Sequence, residues 1–357
     1  MLKRTLKIIF AVIAALLAIV LIYVLYVMIS YNRIPDRQVL QPVGEPSVDY
    51  VQVDRTYTIV TQNCGFGAYS PDFTFFMDGG TESWAKSKET VVSNIDKAAE
   101  KVLSFDPDFV LLQEIDTDST RSYHVDQREQ MTTHFPGYKQ VFAVNYHSPF
   151  LMYPLTQPHG VANSGLMTFS KNDVTSALRR SLTISKGFSK FLDLDRCYSV
   201  SRIPTDNGKE LVLYNVHTSA YGGSDEIRTS QITQLTQDML EEYKKGNYCV
   251  CGGDFNHDFT GDSTFVFGGT EIGEFGWAQS FPAELLPEGI SQCLAYDDAE
   301  PIPTCRNCDV PYGPDCKVFI IDGFLVSDNV SVTELHNIDA GFSYSDHNPV
   351  LMRFELR

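Results

Sequence analysis

Three regimes of apolar and polar positions follow one another along the chain. From Ile8 to Ser30 no charged residue interrupts an apolar run long enough to cross a bilayer as one helix. A cleaved signal peptide is the alternative reading. Its apolar core would be shorter and end in small residues, whereas this run ends Tyr-Val-Leu-Tyr-Val-Met-Ile-Ser. Residues 34–56 carry prolines and mixed polar residues without a helical period, and read as a tether. From residue 57 onward, short apolar runs alternate with helical periods, the pattern of an α/β domain.

Thr56 to Thr61 alternates as a strand and runs into Asn63. After a loop rich in aromatics (Phe66, Tyr69, Phe73, Phe75, Phe76, Trp84), the spacing of Val91, Ile95, Ala98 and Val102 predicts a helix over Ser87 to Phe105. Phe109 to Leu112 is a continuous apolar strand ending at Gln113-Glu114. The second half repeats the plan. Leu211 to Val216 is a strand ending at His217, Ile232, Leu235, Met239 and Tyr243 mark a helix over Asp225 to Tyr243, and Tyr248 to Cys251 is a strand running to Asp254. Ser164 to Ser170 and Val174 to Ile184 read as antiparallel strands between these two β-α-β units, and Phe319 to Leu325 and Val350 to Leu356 as strands near the end.

Every strand of the two units finishes in a polar residue of catalytic type. In open α/β sheets ligands bind beyond the carboxyl ends of strands, so Asn63, Glu114, His217 and Asp254 are expected to converge. In Gly252-Gly253-Asp254-Phe255-Asn256, the glycines allow a sharp turn and close approach. Asp254 and Asn256 then fall on one side if the chain stays extended, which suits a carboxylate that activates water beside an amide that holds phosphate. The same residues also make a good turn sequence. Downstream, Asp322 sits as a lone acid inside an apolar run, where it needs a partner, and Asp346-His347 precedes the last strand. His217 as a satisfied core histidine and Asp322 as a turn cap are the plain alternatives; His257 and Asp258 read as loop residues.

Charge narrows the partners. The chain of 357 residues has a formal charge of −17, and the four cations of residues 1–33, with no acid among them, leave −21 on the rest. Such a balance disfavours gripping phosphate backbones and suits divalent cations. Lys3, Arg4 and Lys7 precede the apolar run and place the N-terminus in the cytoplasm, although Arg33 and Arg37 beyond it weaken the asymmetry. The expectation is a single-pass cell-membrane protein: residues 1–33 a cytoplasmic tip and signal anchor through residues 8–30, 34–56 a linker, and 57–357 an extracytoplasmic catalytic domain.

Taken in order, Asn63, Gln113-Glu114, His217, Asp254-x-Asn256, Asp322 and Asp346-His347 resemble the motifs of the endonuclease/exonuclease/phosphatase family, over about residues 57–357. The resemblance implies a four-layer α-β-β-α sandwich of two packed mixed sheets, preceded here by the transmembrane helix. It implies metal ligands at Asn63, Glu114 and Asp346 for Mg²⁺ or Mn²⁺, and catalytic roles for His217, Asp254, Asn256, Asp322 and His347. Asp254 and Asn256 match the pair that handles water and phosphate, and Asn256 and His217 would also bind substrate. Asp322 matches the acid that orients His347. The phosphate-contacting Tyr and Arg of the nuclease branch have several counterparts here, Tyr123, His124, Arg121, Arg196 and Arg202. A phosphoester hydrolase, a phosphodiesterase acting on a lipid headgroup or small diester, is the expected activity. An extracytoplasmic nuclease and a non-catalytic binding module on the same fold are the alternatives. Cys293, Cys305, Cys308 and Cys316 cluster before the Asp322 strand. They leave open a zinc site begun by Cys305-x-x-Cys308, two disulfides, or no pairing at all.

Overall fold

The computed structural model describes residues 2–187, 190–193, 195–220, 224–271, 277–295 and 300–357. Two sheets pack face to face. The six-stranded sheet runs Val330–Asn337, Val350–Leu356, Tyr57–Asn63, Phe109–Asp116, Asn163–Ser170, Lys139–His147. The seven-stranded sheet runs Gln38–Leu40, Ser176–Ser181, Cys197–Pro204, Glu210–His217, Tyr248–Asp254, Asp322–Ser327, Ile290–Cys293. Each sheet holds one parallel pair, Tyr57–Asn63 with Phe109–Asp116 and Glu210–His217 with Tyr248–Asp254. Both pairs are the β-α-β units seen in the sequence.

Alternation along the strands builds the layers. Ile59, Phe109 and Leu111 meet Leu213, Val250 and Phe324 between the sheets. Their neighbours Val60, Val110 and Leu112 point outward onto Ile95, Ala98 and Val102 of the Lys88–Leu103 helix. On the other side Val212, Cys249 and Cys251 pack on Ile232, Leu235 and Met239 of the Asp225–Lys244 helix. Strands covered on both faces read as unbroken apolar runs, which is why Phe109 to Leu112 shows no polar alternation. Ser87 caps its helix by accepting from the Thr90 amide at 3.1 Å, a bond that stabilises by about 1 kcal/mol.

Several elements depart from the sequence reading. The strand expected over Val174 to Ile184 covers only Ser176–Ser181, and it lies in the opposite sheet from Asn163–Ser170. The run Phe319 to Leu325 is divided, Val318–Phe319 pairing with Cys305–Arg306 and Asp322–Ser327 entering the large sheet. The break lets Ile320 and Ile321 leave the ladder, so Thr304 Oγ1 can accept from the Ile321 amide at 2.9 Å and the Asp322 amide at 3.1 Å. His257–Asp258 is a two-residue strand against Gln279–Ser280. Within the proline-bearing stretch, Gln38–Leu40 forms the edge strand beside Ser176–Ser181.

Leu2–Ser30 is one helix, long and apolar enough to cross a membrane. Its C-terminal end rests on the domain. Val27 packs with Phe191, and Tyr31 meets the Phe191 ring edge-on at 5.5 Å. The Tyr23 hydroxyl donates to the Phe150 carbonyl at 3.2 Å and accepts from the Met152 amide at 2.8 Å, while Tyr26 accepts from the Phe150 amide at 3.2 Å.

Candidate active site

The polar strand ends meet at one edge of the paired sheets. In the large sheet His217 lies directly across from Asp254, and Asp254 from Asp322, so three strands set three functional groups side by side. Gly253 makes this possible. Its φ is +152°, and a Cβ there would fall 2.0 Å from the Val216 carbonyl oxygen. Asn256 follows with φ +47°, a left-handed conformation costly for most side chains and often found at functional sites. In the other sheet Glu114 has φ +55° and sits in a register shift between Leu112 and Ile115. Such a bulge re-aims one side chain out of the ladder, here toward the cleft.

Asp254 is the hub. Its Oδ2 accepts from Asn63 Nδ2 at 2.9 Å and lies 3.3 Å from His217 Nε2 and 3.8 Å from His347 Nε2. Its Oδ1 accepts from the Asn256 amide at 2.9 Å. Asn63 Oδ1 accepts from the Gly65 amide at 2.9 Å, so this side chain braces Asp254 against the neighbouring sheet. Asn256 Nδ2 donates to the Thr218 carbonyl at 3.0 Å. His347 Nδ1 donates to Asp322 Oδ2 at 2.7 Å, which fixes the ring with Nε2 toward Asp254.

Burial and charge divide these groups. Burial pushes the Asp254 carboxyl up to about 6, with His347 opposing and Asp322 assisting. Burial also works against charge on His347, but Asp322, Cys305, Asp346 and Asp254 outweigh it and hold the ring well above the usual imidazole range. Burial, with the charges of Arg196, His347 and Arg121, holds His217 well below that range. Near neutral pH the site therefore presents an ionised Asp254, a cationic His347 and a neutral His217.

Glu114 and Asp346 face the same cleft, a cavity of about 90 Å³. Burial raises Asp346 to about 7, with Glu114 adding to the rise and His347 and Arg306 opposing it. Two partly buried carboxylates in one cleft are the hard-oxygen surroundings that a divalent cation neutralises. Their oxygens fit a divalent cation. Asp254, Asp322 and His347 also bring ligand atoms within 4.8 Å of one another. That cluster is already accounted for by the imidazole proton shared with Asp322.

The zinc reading, one of three left open for the cysteine cluster, finds no support in the geometry. Cys305 forms a backbone bridge with His347, Cys308 Sγ lies 4.0 Å from Asp346 Oδ2, and among the described residues no third ligand joins the two cysteines in a metal-binding cluster. All eight cysteines are free. Of the candidate phosphate contacts, Arg121 and Arg196 line the cleft. Arg202 is held by Glu210 at 2.5 Å and Glu242 at 2.6 Å, His124 is exposed beside Asp118, and Tyr123 packs on Trp84. Of the aromatic loop, Phe66, Tyr69, Phe73 and Phe75 are buried core beside Val91.

Sequence reading missed Asn215 and the wall formed by Asn145, His159 and Ser164. Gln113 Nε2 donates to Asn215 Oδ1 at 2.8 Å across the two sheets, and Asn215 Nδ2 donates to the Leu112 and Met167 carbonyls at 3.1 Å. The signal was available: Asn215 shares the inward parity of Leu211, Leu213 and His217.

Comparison with known proteins agrees with this fold. The model of the Endonuclease/Exonuclease/phosphatase family matches residues 60–347. An endonuclease/exonuclease/phosphatase from Bacteroides vulgatus superposes with a TM-score of 0.53 at 16% identity, over 85% of this chain and 100% of that one. The human Nocturnin catalytic domain with bound sulfate gives 0.52 at 15% identity, over 89% and 97%. ANGEL2, a 2',3'-cyclic phosphatase, gives 0.52 at 14% identity, over 91% and 99%. At such identities the likeness shows the fold alone. No curated protein sequence matches the chain. The chain belongs to the endonuclease/exonuclease/phosphatase family, whose members are metal-dependent phosphoester hydrolases.

Proposed function

We propose that the chain is a membrane-anchored phosphodiesterase whose Asp254 takes the proton from an attacking water. The observation that carries this reading is the meeting of Asn63, His217, Asn256 and His347 around one buried carboxylate. Held by Asn63 and Asn256 and ionised above pH about 6, Asp254 is a base aimed into the cleft. Cationic His347, oriented by Asp322, stabilises the negative charge that gathers on the phosphate oxygens as the ester P–O bond breaks, and the departing alkoxide takes its proton from solvent water. Neutral His217 supplies a hydrogen bond to the phosphate without adding charge. Glu114 and Asp346 would hold the divalent cation, with Asn63 as the brace of Asp254 beside them. When bound, that cation supplies Lewis-acid polarisation of the phosphate.

A lipid headgroup or small diester is the preferred substrate. The loop that Tyr23 and Tyr26 hold exposes Met152, Tyr153 and Leu155, the last 80% accessible. Tyr23 lies seven residues before the helix end, about 10 Å along the axis. A loop tied to that depth reaches the interfacial zone where tyrosine is favoured. The same loop carries His159 into the cleft. Its apolar tip and the acidic domain both favour a bilayer surface over a nucleic acid. The catalytic domain is proposed to lie outside the cytoplasm.

The test is hydrolysis by the full chain in detergent micelles. Release of p-nitrophenol from bis(p-nitrophenyl) phosphate with Mg²⁺ or Mn²⁺, abolished by EDTA, supports the reading; inactivity on diester and monoester panels with metal supplied contradicts it. Protease added to intact cells should remove the domain, whereas protection until lysis reverses the topology.

A further inference from the structure

The chain that leaves the apolar helix does not run free to the domain. Residues 33–40 lie along residues 177–182. Arg33 donates to the Leu182 carbonyl, and Ser181 Oγ donates to the Ile34 carbonyl at 3.3 Å. Asp36 accepts from the Ser181 amide at 2.8 Å and from Arg180 Nε at 3.2 Å, and Gln38–Leu40 pairs with Ala177, Leu178 and Arg179. Asp195 stands at the head of this seam, an acid with none of its surface exposed and with no part in the proposed reaction. Its Oδ1 accepts from the Ile34 amide at 2.7 Å, and its Oδ2 pairs with His147 Nδ1. The Asp195 carbonyl accepts from Nη2 of Arg179 at 2.5 Å, a side chain as fully enclosed as its own.

A carboxylate out of water is costly unless its partners stay in place. Those of Asp195 come from the segment after the helix and from the end of the Lys139–His147 strand, with Arg179 of Ser176–Ser181 holding its backbone. The next residue, Arg196, is 7% exposed and lines the cleft. Its carbonyl accepts from the Leu182 amide at 2.9 Å, and the Leu182 carbonyl is the one that Arg33 holds. The segment after the helix thus reaches Arg196 by two routes, through Asp195 and through Leu182.

We propose that Asp195 is a positioning residue through which residues 31–36 set Arg196 against an anion in the cleft. The inference rests on the reading of this cleft as a phosphoester site, and makes the segment after the helix part of that site. The charge balance gives the placement its weight. On a chain of formal charge −17, the same cleft holds Glu114, Asp254 and Asp346 beside Arg121, Arg196 and Arg306. Coulomb energy falls with distance, so where each arginine stands decides whether these carboxylates repel an incoming anion or are outweighed. A guanidinium fixed in advance also spends no reorganisation when the anion arrives. Releasing the Ile34 amide leaves Asp195 one partner short and lets the 195–196 backbone shift.

Calorimetry on the full chain in detergent, with inorganic phosphate as the probe, tests this coupling without turnover. Arg196→Gln should weaken phosphate binding about tenfold, the loss of one charge-assisted hydrogen bond. Ile34→Pro deletes the amide donor at a position that Pro35 already holds extended, and should weaken binding about fivefold. Placed in the Arg196→Gln background, Ile34→Pro should cost no more than about twofold, because both changes act on one contact. Asp195→Ala should match Ile34→Pro and takes its place in the cycle where the proline variant does not fold. Asp195→Asn keeps an acceptor for the Ile34 amide and should stay within about twofold of the wild-type chain. Losses that add in full overturn the proposal. So does unchanged phosphate binding in folded Arg196→Gln, Ile34→Pro or Asp195→Ala, or an Asp195→Asn loss equal to that of Asp195→Ala. A chain that shows the coupling but hydrolyses no phosphoester contradicts the phosphodiesterase reading and leaves this inference standing.

Discussion

The two β-α-β halves deliver different chemistry to one cleft. In the second, His217, Asp254 and Asp322 stand in register on adjacent strands, and the groups around Asp254 satisfy one another. In the first, Glu114 is thrown out of the ladder at a bulge and faces Asp346, with burial and mutual repulsion raising the latter to about 7. The half whose carboxylate is held by Asn63, Asn256 and two imidazoles is the one proposed to handle protons. The half where burial and a second carboxylate raise Asp346 is the one proposed to take a cation. Regular ladder geometry fixes the first kind of site, and a local break in it makes the second.

Removing the cationic ring should break the proton-handling half most severely. His347→Ala is expected to lower kcat by about 10³-fold, with the chain still folded by circular dichroism. Asp322→Asn keeps the ring but withdraws the charge that holds it protonated. A loss of about 10²-fold is expected, with the alkaline limb of the pH–rate profile moving to lower pH. An unmoved limb would show that Asp322 acts only in packing.

The metal half responds to pH in a defined direction. Below about 7, Asp346 is protonated and competes with the cation, so Mn²⁺ affinity should rise as pH increases through that value. In metal-free protein the Asp254 and Asp346 carboxyls both have raised pKa values, so the stability their protonated forms contribute is full below pH about 4 and lost by about 7. Denaturant titration across that window should show the decline, and saturating Mn²⁺ should reverse it. Glu114→Gln is expected to weaken Mn²⁺ binding by about 10- to 100-fold.

The smallest effect belongs to the seam between the halves. Asn215→Leu removes the bonds from the Gln113 amide and to the Leu112 and Met167 carbonyls across a dry interface, and should cost about 1–3 kcal/mol in urea denaturation, with the Mn²⁺ affinity little changed.

Much of this arrangement was legible in the residue pattern. Strand ends after apolar runs placed Asn63, Glu114, His217 and Asp254 together, because a β-α-β unit brings the carboxyl ends of its parallel strands to one edge. What pattern did not carry was direction. Nothing in Gln113-Glu114 announces a bulge, and nothing in residues 318–327 announces that Ile320 and Ile321 leave the ladder, since both are tertiary solutions to hydrogen bonding. Asn63 illustrates the same limit: its type suggested a metal ligand, but its amide is turned to Asp254 and Gly65. His159 gave no signal at all, lying in an irregular loop without a period.

The division of labour between the halves is tested most directly in Asp254→Asn, by measuring Mn²⁺ binding and diester hydrolysis on the same preparation. The account predicts Mn²⁺ affinity within about threefold of wild type, since Glu114 and Asp346 are intact, together with a kcat lower by about 10³-fold or more. Loss of Mn²⁺ binding would place the cation in the Asp254, Asp322 and His347 cluster instead, and retained hydrolysis would remove Asp254 as the base.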